Sequence, residues 1–201
     1  MADKQIREWR GIDNVVYAKV ISDTEEGIEF GEVKPLAGVS ALSKTTASSR
    51  ETHYYDNIPA NVISSTGADE VTLTLSAIPM EVLAEVNGQF YDEATGMMVE
   101  GDAETSYFAL GYRTQKDNDD EVLVWRFKGM FSIPDANHNT RNDGAEANGD
   151  EITYTGIQTT HKFAKTGKGA KSIVVDVALG KADVSTFFNE VTTPDTLKVK
   201  A

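Results

Sequence analysis

The segment EVLVWRFKGMFSIP, residues 121–134, has the clearest strand pattern in this chain. In this segment, large apolar side chains alternate with a chemically mixed set of side chains. A period of two is typical of a β-strand whose two faces have different surroundings. The first face is predicted to lie in the core and to carry Leu123, Trp125, Phe127, Gly129 and Phe131. The second face is mixed, with Arg126 and Lys128 in its middle. We therefore expect a half-buried strand at the centre of the fold.

Similar alternating segments lie on both sides of this strand. They are predicted as strands at residues 12–21, 28–33, 39–46, 70–77, 105–115, 152–163 and 172–179. One short helix is predicted between Pro79 and Gly88, because proline suits the first position of a helix and glycine its end. A second is predicted over residues 181–191, with Asp183 as its N-cap. The turn-rich segment after the first helix indicates a small hairpin, with residues 90–91 opposite 97–99. The pattern predicts an antiparallel β-sandwich or barrel with one or two short helices and long loops or arms.

The same pattern predicts how the chain is divided. Residues 1–11 are expected to be an N-terminal arm, residues 12–191 a single β domain, and residues 192–201 a C-terminal arm or edge strand. Two stretches without apolar periodicity, residues 46–67 and 135–150, are predicted to be long loops. Long loops in compact domains are often functional.

Composition limits the function classes. The 201 residues include 32 acidic and 19 basic side chains, a net charge of −13, and no cysteine. DNA binding depends on Lys and Arg neutralising phosphates, so this chain is not expected to grip nucleic acid; solubility is the simplest role for the charge. No apolar run approaches the ~18 residues of a membrane span, and the N-terminus lacks the apolar core of a secretion signal. We expect no membrane association.

Chemistry-bearing motifs are missing from the sequence. It has no phosphate-binding glycine loop and no nucleophile elbow. His53, His138 and His161 are too far apart for a paired metal site. The polar loop that starts at Asp135 superficially suggests a calcium loop, but Thr140 stands where such a loop needs glycine. We expect no enzyme activity, no cofactor and no metal.

Five blocks of the chain stand out by their order and spacing: GIDNVVYAKV (11–20), IPMEVLAEVNGQFYD (78–92), YFALGYRTQ (107–115), VLVWRFKGMFSIP (122–134) and, after a polar loop, ITYTGIQTTHKF (152–163). Together they resemble the major tail protein, the tail tube subunit, of siphophages that infect Gram-positive bacteria. The resemblance implies a structural virion protein of the tail-tube β fold. Its copies would form hexameric rings, made in the host cytoplasm and stacked in the virion tail. Their partners would be the tape-measure and other tail proteins, and DNA would pass through the lumen without specific binding.

Three groups of residues are candidate contacts between subunits. They are Tyr54 and Tyr55, the basic-turn residues Lys162, Lys165, Lys168 and Lys171, and the acidic-turn residues Asp117, Asp119, Asp120 and Glu121. Adjacent exposed tyrosines are typical of contact surfaces, although local packing on a sheet edge is the alternative. The lysines are hypothesised to meet residues 22–27 or 117–121 of an adjacent ring. Exposed ion pairs contribute only ~0–1 kcal/mol each, so these pairs would fix the register between rings more than the strength of the contact. A basic turn that is simply solvated is the alternative.

Two further expectations concern the lumen and the competing function. Part of the negative charge is expected to line the lumen, where it would keep DNA from sticking at close range. The residues that line it are not assigned. The alternative function is a monomeric β-sandwich that binds protein or carbohydrate, which would have an aromatic-lined groove.

Overall fold

The computed structural model describes residues 6–134 and 149–200. The fold is mainly β and antiparallel, as predicted, with one α-helix among these residues. The elements in chain order are β1 Trp9–Asp23, β2 Ile28–Phe30, β3 Lys34–Pro35, β4 Val39–Tyr55, β5 Ile58–Leu75, α1 Met80–Asn87, β6 Phe90–Asp92, β7 Met97–Val99, β8 Phe108–Lys116, β9 Glu121–Phe131, β10 Asp150–Ile157 and β11 Ser172–Asp176. Most of the predicted 135–150 loop lies outside the described residues.

Strand β9 is the centre of the main sheet. Within the described residues this sheet has nine strands, in the order β2-β1-β8-β9-β10-β5-β4, with β3 paired to β1 and β11 to β9. One edge of β9 pairs with β8. The other edge is divided, since β11 pairs with its first half and β10 with its last four residues. Strands β6 and β7 form a separate hairpin, as predicted.

Both faces of β9 are buried, so the expectation of a half-buried strand was wrong. Val122 and Val124 belong to one hydrophobic cluster, while Trp125 and Phe127 belong to another. Arg126, predicted on a mixed face, is only 4% exposed. The sequence could not reveal this, because the cluster that includes Val122 and Val124 is completed by segments distant in sequence, among them β5 and α1.

A β-bulge also changes the predicted faces of β9. Three residues of β8, Phe108 to Leu110, oppose four of β9, Gly129 to Arg126. The extra residue reverses the alternation, because side chains along a strand alternate with a period of two. Phe131 consequently packs in the cluster of Val122 and Val124, not with Trp125 as predicted. 

The two hydrophobic clusters lie on opposite faces of the sheet formed by β1, β8 and β9. On β8, Phe108 and Leu110 point into the first cluster and Ala109 into the second. Helix α1 covers the first cluster, together with β5 and β10. The segment after β10 covers the second cluster with its apolar side chains, which include Phe163, Val175, Phe187 and Val191. Trp125 fixes this layer by donating its Nε1–H to the carbonyl oxygen of Phe187 (2.8 Å).

Only the first of the two predicted helices forms. Helix α1 starts after Pro79 and ends at Gly88, which has φ +65° and allows the helix to close in a left-handed turn. Residues 181–191 are instead a series of turns. The backbone of this segment forms hydrogen bonds with residues outside the predicted helix: the N–H of Asp183 donates to the carbonyl of Lys198 (3.0 Å). The apolar residues of this segment still pack in the core.

The predicted loop at residues 46–67 is a β-hairpin, which corrects the sequence interpretation. Strands β4 and β5 pair along nearly their whole length and turn at Asp56 and Asn57, both with positive φ. Strand patterning was absent because neither face of the outer half is buried, so nothing requires apolar residues to alternate there. Strand β1 begins at Trp9, which pairs with Lys116, so residues 9–11 of the predicted N-terminal arm belong to the sheet. Residues 1–5 of that predicted arm lie outside the described residues.

Candidate assembly surfaces

The outer half of the β4–β5 hairpin projects from the body of the protein. We define the arm as residues 47–67, which are exposed apart from a partly covered His53. Strand β10 pairs with β5 only from Leu75 to Asp69. Beyond Asp69, no strand in the described part of the chain pairs with either outer edge of the arm. The arm therefore offers two free strand edges.

The arm also exposes apolar side chains near its tip. Tyr54 and Tyr55 are 64% and 66% exposed, and Ile58 pairs with Tyr55 across the turn. Val62 and Ile63 follow on β5 and are more than half exposed. Sequence reasoning found the tyrosines but missed these three aliphatic residues. Their β-branched character was a signal for a strand, although no alternation supported it.

The two faces of the arm are chemically similar. Glu51 and Ile63 form a cross-strand pair, as do Thr52 and Val62. Each face thus mixes polar and aliphatic side chains, and neither carries the continuous apolar stripe that would pack it onto the body. An exposed strand with free edges is a template for pairing with another chain.

A buried ion cluster holds the base of the arm. Asp69, only 4% exposed, accepts hydrogen bonds from Arg126 Nη1 (2.7 Å) and Thr46 Oγ1 (2.9 Å) and faces the Nζ atoms of Lys171 (3.2 Å) and Lys44 (3.8 Å). Burial alone would raise the pKa of Asp69. The hydrogen bonds and the neighbouring cations outweigh it and hold that pKa below its ordinary value. Lys171 also donates to the carbonyl of Gly67. It is thus engaged within the chain, unlike the other predicted lysines.

Lys162, Lys165 and Lys168 are exposed on the predicted basic turn. None of them forms an ion pair with another described residue. The turn itself is firmly held, since the carboxylate of Asp195 accepts the N–H groups of Ala164 and Lys165, both at 2.8 Å. These backbone bonds lower the pKa of Asp195.

The predicted acidic turn is only partly free. Asp117 and Asp119 are exposed, and Asp120 accepts a hydrogen bond from Asn118 (2.7 Å). Glu121 accepts one from Arg113 (2.8 Å), a cation that it shares with Asp13. The structure therefore does not bring the four acidic candidates together as one unpaired cluster.

The acidic segment at residues 22–27 is likewise partly occupied. Asp23 is buried against Lys128 (2.7 Å) and also accepts the N–H groups of Thr160 and His161. Burial opposes its ionisation, but these bonds outweigh it and lower the pKa of Asp23. Glu25 and Glu26 remain exposed.

An open groove of about 870 Å³ lies between β4 and β11. Its lining includes Trp9, Tyr112 and Val122, with Arg126 and Lys44 at its polar end. Both cations already contact Asp69. Among residues 6–134 and 149–200, no three His, Asp or Glu side chains are grouped to hold a metal ion, and no helix is long and apolar enough to cross a membrane.

Comparison with known proteins decides which family these features belong to. The phage tail tube protein family matches residues 22–189, most of the chain. This chain belongs to the phage tail tube protein family. No curated protein sequence matches the chain significantly. The matched range includes the arm and every strand of the main sheet except most of β1. The protein is accordingly a structural tail tube subunit of a phage, and family membership implies a place in the virion tail and a non-enzymatic role.

Proposed function

We propose that copies of this chain form hexameric rings, and that the rings stack into the tube through which DNA leaves the virion. Family membership supports a tube subunit. The projecting arm is the observation that carries the proposed mode of assembly, because its free edges and exposed apolar residues have no partner in the described part of the chain. Rings require contacts that close laterally, and stacking requires a second, head-to-tail contact.

The arm is suited to the contact between neighbouring subunits. Tyr54, Tyr55 and Ile58 supply apolar area at its tip, and the edges supply backbone hydrogen bonds. Added strands obtain affinity from main-chain bonds and specificity from side-chain pockets. The ion cluster around Asp69 would fix the direction in which the arm projects.

The lumen and the remaining partners complete the proposal. Part of the net charge of −13 is proposed to face the lumen, where it would repel passing DNA at short range. The tape-measure protein would occupy the lumen before DNA does, and subunits would be assembled in the host cytoplasm. A tube whose inner wall is mainly Lys and Arg would contradict the proposed role of the charge.

Replacing the arm tests this function. Ser48 pairs directly with Thr66, so residues 49–65 can be exchanged for an Asn-Gly turn that closes a two-residue hairpin. The wild-type chain is expected to form tubes of even width in negative-stain electron microscopy. The shortened chain is expected to remain a folded monomer, with a melting temperature close to that of the wild type.

The control replaces residues 56–57 by Asn-Gly, which preserves the length and turn type of the arm. This variant should assemble normally. A wild-type protein that stays monomeric at every concentration, with or without preformed tail tips as nuclei, would favour the monomeric binding protein instead. Tubes formed by the shortened chain would show that the arm does not carry assembly.

A further inference from the structure

Residues 79–106 form an acidic unit, which we call the helix–hairpin module. It contains α1, β6 and β7 and carries seven carboxylates with no lysine or arginine. Local hydrogen bonds hold it together: the side chain of Gln89 both accepts from and donates to the backbone of Gly101, and the N–H of Glu104 donates to the carbonyl of Gly88. Its exposed apolar side chains are Met80, Phe90, Met97 and Val99.

Most carboxylates of the module are not used within the chain. Glu85 is an exception, since it pairs with Lys34 (2.9 Å) and accepts from Tyr17 (2.7 Å). Asp92 is another, because it closes its own turn through Thr95. The five others are exposed, and none makes an ion pair or side-chain hydrogen bond with a described residue: Glu81, Glu93, Glu100, Asp102 and Glu104.

The segment after β10 carries the opposite charge. We define the lysine face as its six exposed lysines, Lys162, Lys165, Lys168, Lys181, Lys198 and Lys200. None of the six forms an ion pair with another described residue. Backbone bonds position the last three, since the N–H of Lys200 donates to the carbonyl of Lys181 (2.9 Å). Val199 and Leu179 expose apolar area beside them.

These two surfaces lie on opposite sides of the subunit. Helix α1 packs on the hydrophobic cluster on one face of β1, β8 and β9. The segment that bears the lysine face packs on the cluster on the other face. The module and the lysine face therefore cannot meet within one copy, whereas a head-to-tail arrangement brings them together between copies.

We propose that the helix–hairpin module of one copy docks on the lysine face of its neighbour. This inference rests on the proposed function, because it identifies the head-to-tail contact that ring stacking requires in addition to the contact made by the arm. It assigns the lysines a different partner from residues 22–27 or 117–121, where Asp23 and Glu121 are already engaged. Complementary charges would orient the two copies, and the flexible Met80 and Met97 would adapt to the apolar residues opposite.

Charge reversal and charge exchange test the contact in the full-length chain. One variant carries Lys162→Glu, Lys165→Glu and Lys168→Glu; a second carries Glu93→Lys, Glu100→Lys and Asp102→Lys. Each should raise the protein concentration needed for tube formation by about tenfold or more, since like charges would face each other. A chain with all six substitutions should assemble near the wild-type concentration, because complementarity is restored with the signs exchanged.

The matched control carries Glu25→Lys, Glu26→Lys and Asp117→Lys, which changes net charge as much as the second variant but outside the module. It should assemble like the wild type. Thermal melts check that every variant folds, and sedimentation measures the assembled fraction.

The outcomes separate this inference from the function on which it rests. Failure of the wild type to assemble would contradict the proposed function. If the wild type assembles, unchanged assembly of both reversals would overturn only the docking contact. Loss of assembly in the six-substitution chain, or equal loss in the control, would also overturn it.

Discussion

The body of this protein and its arm are built from the same secondary structure but differ in what covers them. In the body, β9 buries side chains on both faces, and Trp125 and Tyr154 are fully enclosed. In the arm, residues 47–67 are exposed on both faces apart from the partly covered His53. The body thus obtains its stabilising burial within one chain. The arm obtains little from the described part of its own chain, and the contacts proposed for it are with other copies.

Hydrogen bonding follows the same contrast. Strand β9 has pairing partners on both edges. The two strands of the arm pair only with each other in the described structure, leaving their outer edges open. A two-stranded ribbon is marginally stable alone in water. The comparison therefore predicts that damage to the body unfolds the monomer, whereas damage to the arm affects assembly alone.

The two tryptophans provide the largest expected effect. Trp125→Ala removes a fully buried ring and its hydrogen bond to Phe187, and should lower the free energy of unfolding by about 3–5 kcal/mol. Trp9→Ala, at a residue that is mostly exposed, should change it by less than about 0.5 kcal/mol. Urea unfolding followed by far-UV circular dichroism measures both. Similar losses in the two variants would contradict the assigned layers.

The ion cluster at the base of the arm gives an intermediate effect that depends on pH. Because folding lowers the pKa of Asp69 below its unfolded value of about 3.9, the unfolded chain binds the proton more tightly. The stabilisation is therefore complete above about pH 4 and is lost as pH falls through the folded pKa. Thermal melts between pH 7 and pH 3 measure this loss.

Asp69→Asn is the control for that measurement. It leaves Arg126 buried without its carboxylate partner and should cost about 3 kcal/mol at pH 7. Its stability should also depend less on pH than that of the wild type. The remaining dependence includes Asp23, whose pKa is lowered in the same direction. A variant with the full wild-type pH dependence would exclude Asp69 as a source.

The tip of the arm should have the smallest effect on the monomer. The paired changes Tyr54→Ser and Tyr55→Ser alter exposed side chains, so the free energy of unfolding should move by less than about 0.5 kcal/mol. Tube formation should nevertheless weaken, because the tip loses its aromatic contact area. Ile21→Ser, at a residue of similar exposure on β1, serves as the control and should assemble normally. Equal assembly of the tyrosine variant would exclude the tip as a contact.

Sequence reasoning worked where local chemistry and burial agree. The alternation of Val71, Leu73, Leu75 and Ala77 predicts one buried face; the first three are buried, whereas Ala77 lies beyond the end of β5 and is exposed. Pro79 and Gly88 predicted the limits of α1, because both act through their own backbone preferences. The candidate contacts were less complete. The tyrosines and the lysine turn were found, but Ile58, Val62 and the helix–hairpin module were not proposed as contacts.

The sequence by itself determined the antiparallel β class, the position of the central strand, helix α1 and the small β6–β7 hairpin. Hydrophobic periodicity and turn residues act through neighbouring positions in the chain, so the elements that they predict do not depend on distant contacts. Only the tertiary structure decided that β9 is covered on both faces, that Phe131 changes sides, and that residues 47–67 form a paired arm. The first depends on the two clusters that β9 shares with distant segments, and the second on the register with β8. The third depends on the absence of any layer over the arm within the described part of the chain. The alternation of residues within a strand does not show whether a segment distant in sequence will cover its second face.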